Sequence, residues 1–334
     1  MDESGHLKKG KMSVVVSRQY AGIIGKVDNC QVGVYSSLVN EKYASIINER
    51  LFIPESWAEN PGRCEKAGIP KEFQKHKTKP QLALEMLKED LETGVIFDWV
   101  GGDGLYGHNA ELCKGLDELQ QFFVLDVHKN EKVFTETPSF SISKNKQNSK
   151  KLKADKEKIR IDVLNNQIET KYWKLEEIRD TRKGVLKLYV YKTQVWTWDG
   201  EEKKARDRTL IITKTTEKKA KVKYSFSNGK LKEYSHQEYA YFVAQRYWIE
   251  RTFDNAKNEL GVSDYQTRKW KSWHHHHSLI LLASFLIMKQ QIDNQDKVPL
   301  LSFRDARILV VLQVFGTKED IENRLKQMEK RHEK

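Results

Sequence analysis

YAYFVAQRYWIERTFDNAKNEL, residues Tyr239 to Leu260, reads as one long helix. Phe242, Ile249, Phe253, Ala256 and Leu260 recur at spacings of three, four and seven, the signature of an apolar helical face. At about 100° per residue, Arg246, Glu250 and Lys257 fall within roughly 40° of one another beside that stripe. Glu259 lands nearly opposite. One carboxylate and two cations therefore share a face at the edge of a core. Alone, that is also the pattern of a solvated face with a Glu between two basic residues, so its meaning depends on the rest of the chain.

The chain has 334 residues, room for one large domain with an insertion or for two domains. Its net charge of +12 points to a polyanionic partner, nucleic acid first and an anionic membrane second. No apolar run approaches the roughly 18 residues of a membrane span, and Leu279 to Met288 is about half that. There is no charged, apolar, small-residue leader at the start, so a cytoplasmic protein is expected. Cys30, Cys64 and Cys113 lie far apart and show neither zinc spacing nor a disulfide framework, which fits a reducing compartment. A hydrophobic content of 38% supports a packed core.

From the start, Asp2 precedes the basic stretch HLKKGK. Ser13 to Arg18, Val27 to Val39 and Tyr43 to Phe52 read as three strands of an antiparallel meander. Leu51 to Gly68 is an irregular connection, and Lys79 to Glu92 a helix stopped by Gly94. Val95 to Val100 reads as a buried strand running into Gly101-Gly102-Asp103-Gly104. A helix near Ala110 to Gln120 and a strand from Phe122 to Val127 follow, so this part is an α/β layer with a mixed sheet. Asn130 to Lys158 reads as a mobile basic loop. Ile159 to Phe226 is strand-like, with turns at Asp199-Gly200 and Asn228-Gly229. Trp173, Trp196 and Trp198 lie in this β-rich insertion; packing it is their simplest role, and stacking on an exposed base the alternative. After Leu260 come the four histidines His274 to His277, an apolar helix over Leu279 to Gln290, and a charged helical end, Phe303 to Lys334. Four consecutive histidines cannot all face one metal from a helix, so a wet helix start is the expectation. Ile321, Leu325 and Met328 form a narrow stripe for internal packing or a second subunit.

Two carboxylates invite pairing with Glu250. Asp103 sits just past a strand, where side chains of α/β sheets reach ligands. Asp2 would join it if the chain before Ser13 continues the first sheet. Singly, an Asp after two glycines is commonly a turn or N-cap residue, and Asp2 an exposed terminus. Three gathered carboxylates repel one another unless a cation neutralises them. All-oxygen, highly charged ligands suit Mg²⁺ or Mn²⁺. Two such ions about 4 Å apart can activate a water and stabilise a leaving oxygen in phosphodiester cleavage. The basic helix face would then hold the phosphate backbone.

These blocks resemble the catalytic domain of DDE transposases from bacterial insertion sequences. The likeness is carried by DESGHLKKGKMSVVVSRQYAGIIGKVDNCQVGV at the start, LFIPESW, GGDGLYG around Asp103, RYWIERTFDNAKNELG around Glu250, and WKSWHHHHSL after it. In the signature Tyr-x2-Arg-x3-Glu-x6-Lys, the Arg, Glu and Lys fall on Arg246, Glu250 and Lys257, while Val243 stands at the Tyr position. The resemblance implies a ribonuclease H-like mixed sheet flanked by helices, with a β-rich insertion before the last catalytic helix. It implies Asp2, Asp103 and Glu250 as catalytic metal ligands for Mg²⁺, with Mn²⁺ as substitute, and Arg246 and Lys257 as DNA-binding residues. It also implies double-stranded DNA partners (transposon ends and target), a homodimer in a synaptic complex, and work at the nucleoid.

On this reading residues 1–129 and 236–295 form the catalytic core, 130–235 the basic loop and β-rich insertion, and 296–334 a C-terminal helical segment. Family members carry a substantial segment before the first acid, which is residue 2 here, so a chain truncated at its N-terminus is expected. Two alternatives stay open: a non-catalytic DNA-binding remnant, and an inhibitory subunit of a related transposase.

Overall fold

The alternation of Val27 to Val39 builds a long strand, Lys26–Asn40, around which one sheet is assembled. The computed structural model describes residues 1–41, 43–142, 152–181, 184–298 and 301–332. In chain order the elements begin β1 (Asp2–Leu7), β2 (Ser17–Ala21), β3 (Lys26–Asn40), β4 (Tyr43–Leu51), α1 (Glu55–Ala58), α2 (Pro61–Ala67) and α3 (Lys79–Glu92). Then come β5 (Val100–Gly102), α4 (Gly104–Gly107), α5 (Ala110–Glu118), β6 (Phe123–Val127), β7 (Lys132–Val133), β8 (Phe140–Ile142), β9 (Leu152–Ala154), β10 (Ile159–Arg160) and α6 (Ile161–Asn166). The long strands β11 (Lys174–Thr181), β12 (Gly184–Thr197), β13 (Arg206–Thr215) and β14 (Val222–Ser227) follow. The chain ends in α7 (His236–Gln245), α8 (Tyr247–Glu259), α9 (Trp270–Asp293), α10 (Phe303–Phe315) and α11 (Lys318–His332). It divides into a split body, Asp2–Thr93 with Tyr247–Lys334, and a continuous body, Gly94–Arg246 with Met1.

In the split body β3 is central. β1 pairs with it antiparallel, Asp2 opposite Tyr35 and Leu7 opposite Cys30. β2 and β4 also pair with β3 antiparallel, Ser17 opposite Cys30 and Gly33 opposite Leu51. The expected meander from Ser13 needs correction. The first strand is Asp2–Leu7, and Ser13 to Val16 is not a strand. Val14, Val15 and Val16 are instead buried with Trp57, Tyr265 and Trp273, and Val14 N–H donates to the Arg268 carbonyl at 3.0 Å. Their β-branched side chains are used for packing, without a ladder.

Helix α3 has the expected limits because its start carries a capping box. Thr78 Oγ1 accepts from Gln81 N–H, and Gln81 Oε1 accepts from Thr78 N–H. Helices α8 and α9 cover the sheet through Ile249, Phe253, Ala256 and Ile280 against Tyr35 and Ile46. The stripe expected on the last helix packs internally at Met328, which is 1% exposed. The histidine run is a wet helix start only in part, since His275 is exposed, His274 and His276 are half-buried and His277 is buried. It lies in the first turns of α9, where His277 is buried, His274 meets Glu49 and His276 meets the Gly261 carbonyl. Each turns about 100° from the next, so consecutive histidines meet different neighbours.

The continuous body holds a six-stranded sheet in the order β11-β12-β13-β14-β6-β5. β5 and β6 are parallel, and the other neighbours antiparallel. Alternation sorts β13 onto two faces. Ile211 packs with Tyr239, Ala240 and Val243 of α7. Leu210 and Ile212 pack with Val133, Val195 and Ile161 of α6. The result is the expected mixed α/β fold, a mixed sheet flanked by helices. The strand expected over Val95 to Val100 shrinks to Val100–Gly102, since the chain leaves Gly94 at φ 85° and Ile96 is 88% exposed. Helix α6 interrupts the strand-like run expected from Ile159. Within the expected basic loop Asn130 to Lys158, residues 143–151 lie outside the described residues; before and after them stand β7, β8 and β9. Trp173 and Trp198 pack within this body, against Tyr191 and Phe140. Among the described residues no helix is long and apolar enough to cross a membrane.

Candidate functional site

The single helix expected over Tyr239 to Leu260 is two helices. α7 ends at Gln245, and α8 begins at Tyr247. No Gly or Pro marks the break. The two halves belong to different cores, α7 with Val124 and Leu188, α8 with Tyr35 and Ile46. A continuous helical period hides this, because both halves keep it. Glu250 and Lys257 stand on α8 in the split body, and Arg246, whose backbone stays helical at φ -54° and ψ -27°, belongs to the continuous body.

In the split body Asp2 opens β1, half-buried, with Oδ1 accepting from Glu3 N–H at 2.8 Å. Carboxylate oxygens of Asp2 and Glu3 lie within 4.8 Å of each other. Lys79 Nζ pairs with Glu3 Oε1 at 2.9 Å. Tyr35, the cross-strand partner of Asp2, meets the Phe253 ring of α8 edge-on at 5.3 Å. Lys257, one turn beyond Phe253, is half-buried. Burial holds its ammonium below the usual lysine range, against the opposing charges of Asp254 and Asp2. Glu250 is exposed on the same helix, two turns before Lys257. The structure thus brings Asp2 into the field of Lys257.

Beneath them lies a buried polar chain. His277 Nδ1 bonds the Trp273 carbonyl at 3.0 Å, so Nδ1 carries the proton and Nε2 accepts from the Tyr35 hydroxyl at 3.1 Å. The Tyr35 oxygen in turn accepts from His6 Nε2 at 2.8 Å. Burial first, then the charges of Lys257 and Lys8, brings His6 down to about 3. Burial and the His6 ring bring His277 down to about 2.

In the continuous body Asp103 follows the carboxyl end of β5 and caps α4, its Oδ1 accepting from Leu105 N–H at 2.9 Å. The glycines of GGDGLYG let α4 lie against β6: a Cβ on Gly107 would sit 2.1 Å from the Asp126 carbonyl oxygen. Asp126, on β6, accepts from Ser225 Oγ at 2.8 Å and pairs with Arg246 at 3.3 Å. Burial pushes the Asp126 carboxyl up; Arg246, Lys223 and Ser225 pull it down, and Asp103 adds to the push. Asp103, Asp126 and Arg246 therefore form one charged group. Sequence reading missed Asp126, although an Asp inside the apolar run FFVLDV is a signal, since a carboxylate in a buried strand needs a partner. It also missed Glu3, whose neighbour Asp2 drew the attention.

The donors around the sequence-predicted positions are carboxylate oxygens, with neither thiolate nor imidazole among Asp2, Glu3, Asp103, Asp126 and Glu250. Carboxylate donors of this kind suit a hard divalent cation such as Mg²⁺ or Mn²⁺.

The chain belongs to the DDE superfamily of endonucleases, whose family description, "DDE superfamily endonuclease", matches residues 1–184. It is similar to a probable transposase for insertion sequence element IS701 of Microchaete diplosiphon, 31% identical over 131 residues, 39% of this chain and 31% of that protein. The match thus spans about a third of that relative. The expected kinship with DDE transposases of insertion sequences is borne out. A cryo-EM structure of piggyBac transposase in a synaptic complex with hairpin DNA aligns at 12% identity and a TM-score of 0.40, over 98% of this chain and 56% of that one. Nuclease families of this kind depend on divalent metal.

Proposed function

We propose that this chain is the ribonuclease H-like catalytic core of a cut-and-paste transposase. It would hydrolyse DNA at transposon ends and transfer the freed 3′-hydroxyl to a target duplex. The core would comprise residues 1–129 and 236–295, with 130–235 as its β-rich insertion and 296–334 as a C-terminal helical segment. It would work in the cytoplasm on the nucleoid, as a dimer when two ends are synapsed.

The observation that carries this reading is Asp103. It follows the carboxyl end of a strand in a parallel pair, where α/β sheets meet their ligands, and has a second carboxylate and a guanidinium beside it. Asp2, Asp103 and Glu250 would hold the metal. Bound Mg²⁺, or Mn²⁺ in its place, supplies Lewis-acid activation of water and of the leaving oxygen. Lys257 would hold a phosphate as a point charge, and its partial burial makes a paired anion more favourable than an empty neighbour. Arg246 would bind a phosphate, with Asp126 fixing the direction of the guanidinium.

The test is nicking of supercoiled plasmid by the purified chain with Mn²⁺, with EDTA, and with Asp103→Asn, which keeps the capping oxygen. We expect metal-dependent nicking, reduced about a hundredfold or more in the variant, since even groups behind metal ligands are worth ten- to a hundredfold. Unchanged nicking in Asp103→Asn would remove Asp103 from the site. No nicking by the parent chain, with DNA binding intact, would leave a DNA-binding protein instead.

A further inference from the structure

We propose that the split body carries a second site, separate from the acids above, that binds a guanidinium group. The site is a cavity of about 510 Å³ between β4, α3, α9 and the segment before α3. That size lies in the range of small-ligand pockets.

Its floor is Glu49 of β4, which is 8% exposed. One oxygen, Oε1, accepts from His274 Nδ1 at 2.8 Å. The other, Oε2, has no hydrogen-bond partner among the described residues, and neither has His274 Nε2. With Nδ1 bonded to Glu49, Nε2 is left facing no protein partner among the described residues. Two buried polar atoms, one of them a carboxylate oxygen, thus stand unpartnered among the described residues, on neighbouring side chains whose residues line one cavity. A buried carboxylate oxygen left this way is uncommon and calls for a donor. Neither residue is part of the acid and phosphate groups assigned to DNA cleavage.

The walls select the occupant. Trp270 and Phe73 both line the cavity, with ring centroids 5.5 Å apart, and they offer aromatic surface to a planar head. Two of the lining cations are already committed: Arg50 pairs with Glu89, and Lys77 with Glu85 at 2.6 Å. That leaves Glu49 and Glu72 against Lys75, an acidic balance on a chain of net charge +12. A phosphate would be repelled here. A cation that donates two N–H bonds and stacks on an aromatic face is favoured, and guanidinium does both. The guanidinium has two sources, a free small molecule or an arginine side chain.

Calorimetry on the full chain tests this without reading DNA cleavage. Agmatine serves as the free guanidinium and acetyl-arginine-N-methylamide as the side-chain form; N-butylurea has a similar planar head without charge. Saturable heat with one or both guanidines and none with N-butylurea is expected, and the tighter binder names the source. Glu49→Gln should weaken that binding at least tenfold. If Glu49→Gln fails to fold, the contrast between agmatine and N-butylurea on the parent chain decides alone. No saturable heat from either guanidine at millimolar concentration overturns the site. So does equal binding of N-butylurea, or unchanged binding in a folded Glu49→Gln.

Discussion

His6, Tyr35 and His277 show how much of this protein's acid sensitivity rests on single side chains. Both imidazoles are held neutral by burial, one down to about 3 and the other to about 2, from an ordinary value of 6.5. Below pH 6.5 the unfolded chain takes up protons that the folded chain refuses, so the stabilisation is complete above 6.5 and is lost as pH falls toward 3. Each group contributes a slope of about 1.4 kcal/mol per pH unit in that window. Thermal unfolding between pH 7 and pH 5, above the range of most carboxylates, should show the midpoint falling steadily, and His277→Gln should flatten part of that fall. A midpoint that stays level would mean that the rings titrate normally. The same scale shows what a sequence can hide. The place of Asp103, just past a strand, was legible from GGDGLYG. The Tyr35 bridge was not, because its partners lie 29 and 242 residues away in the chain.

At the scale of elements, the short helix α4 depends on a missing side chain. Gly107 faces the Asp126 carbonyl so closely that a methyl group has no room, and its close contacts are backbone rather than flexible chain ends. Gly107→Ala should push α4 off β6, costing about 1–3 kcal/mol or more as overpacking does. It should also displace Asp103, which caps α4. The melting temperature and metal-dependent nicking should fall together. Gly22→Ala, with open space around its Cβ position, is the control and should change neither. A Gly107→Ala protein with parental stability would mean that the helix can shift freely. The elements that sequence predicted well share a local cause. α3 has its own capping box, and β3 its own alternation. Those misjudged depend on distant partners. Val14 to Val16 look like a strand but pack as a buried turn. The break at Arg246 was invisible because both halves of the helix satisfy one period while facing two cores.

For the whole molecule, the net charge of +12 sets what the proposed function predicts for DNA binding. Binding to a generic duplex should weaken steeply with salt, by about 10³-fold or more between 50 and 200 mM if six or more phosphates are neutralised. A fluorescence-anisotropy titration at several salt concentrations reads this slope directly, and a flat response would show that the charge is spread too thinly to engage a backbone. Connectivity has a consequence of another kind. The split body is begun by Asp2–Thr93 and finished only by Tyr247–Lys334. On the ribosome, strands β1 to β4 therefore emerge long before α8 and α9, which bring Phe253 and His277 to Tyr35. At about 5–20 residues per second, the wait is roughly 10–40 s. Throughout it, Tyr35 and Ile46 have none of their helical cover, while Gly94–Arg246 is synthesised without interruption and is free to fold first. A sheet face left uncovered for that long is the kind of surface that associates wrongly, so co-expressed chaperones should raise the yield of native protein.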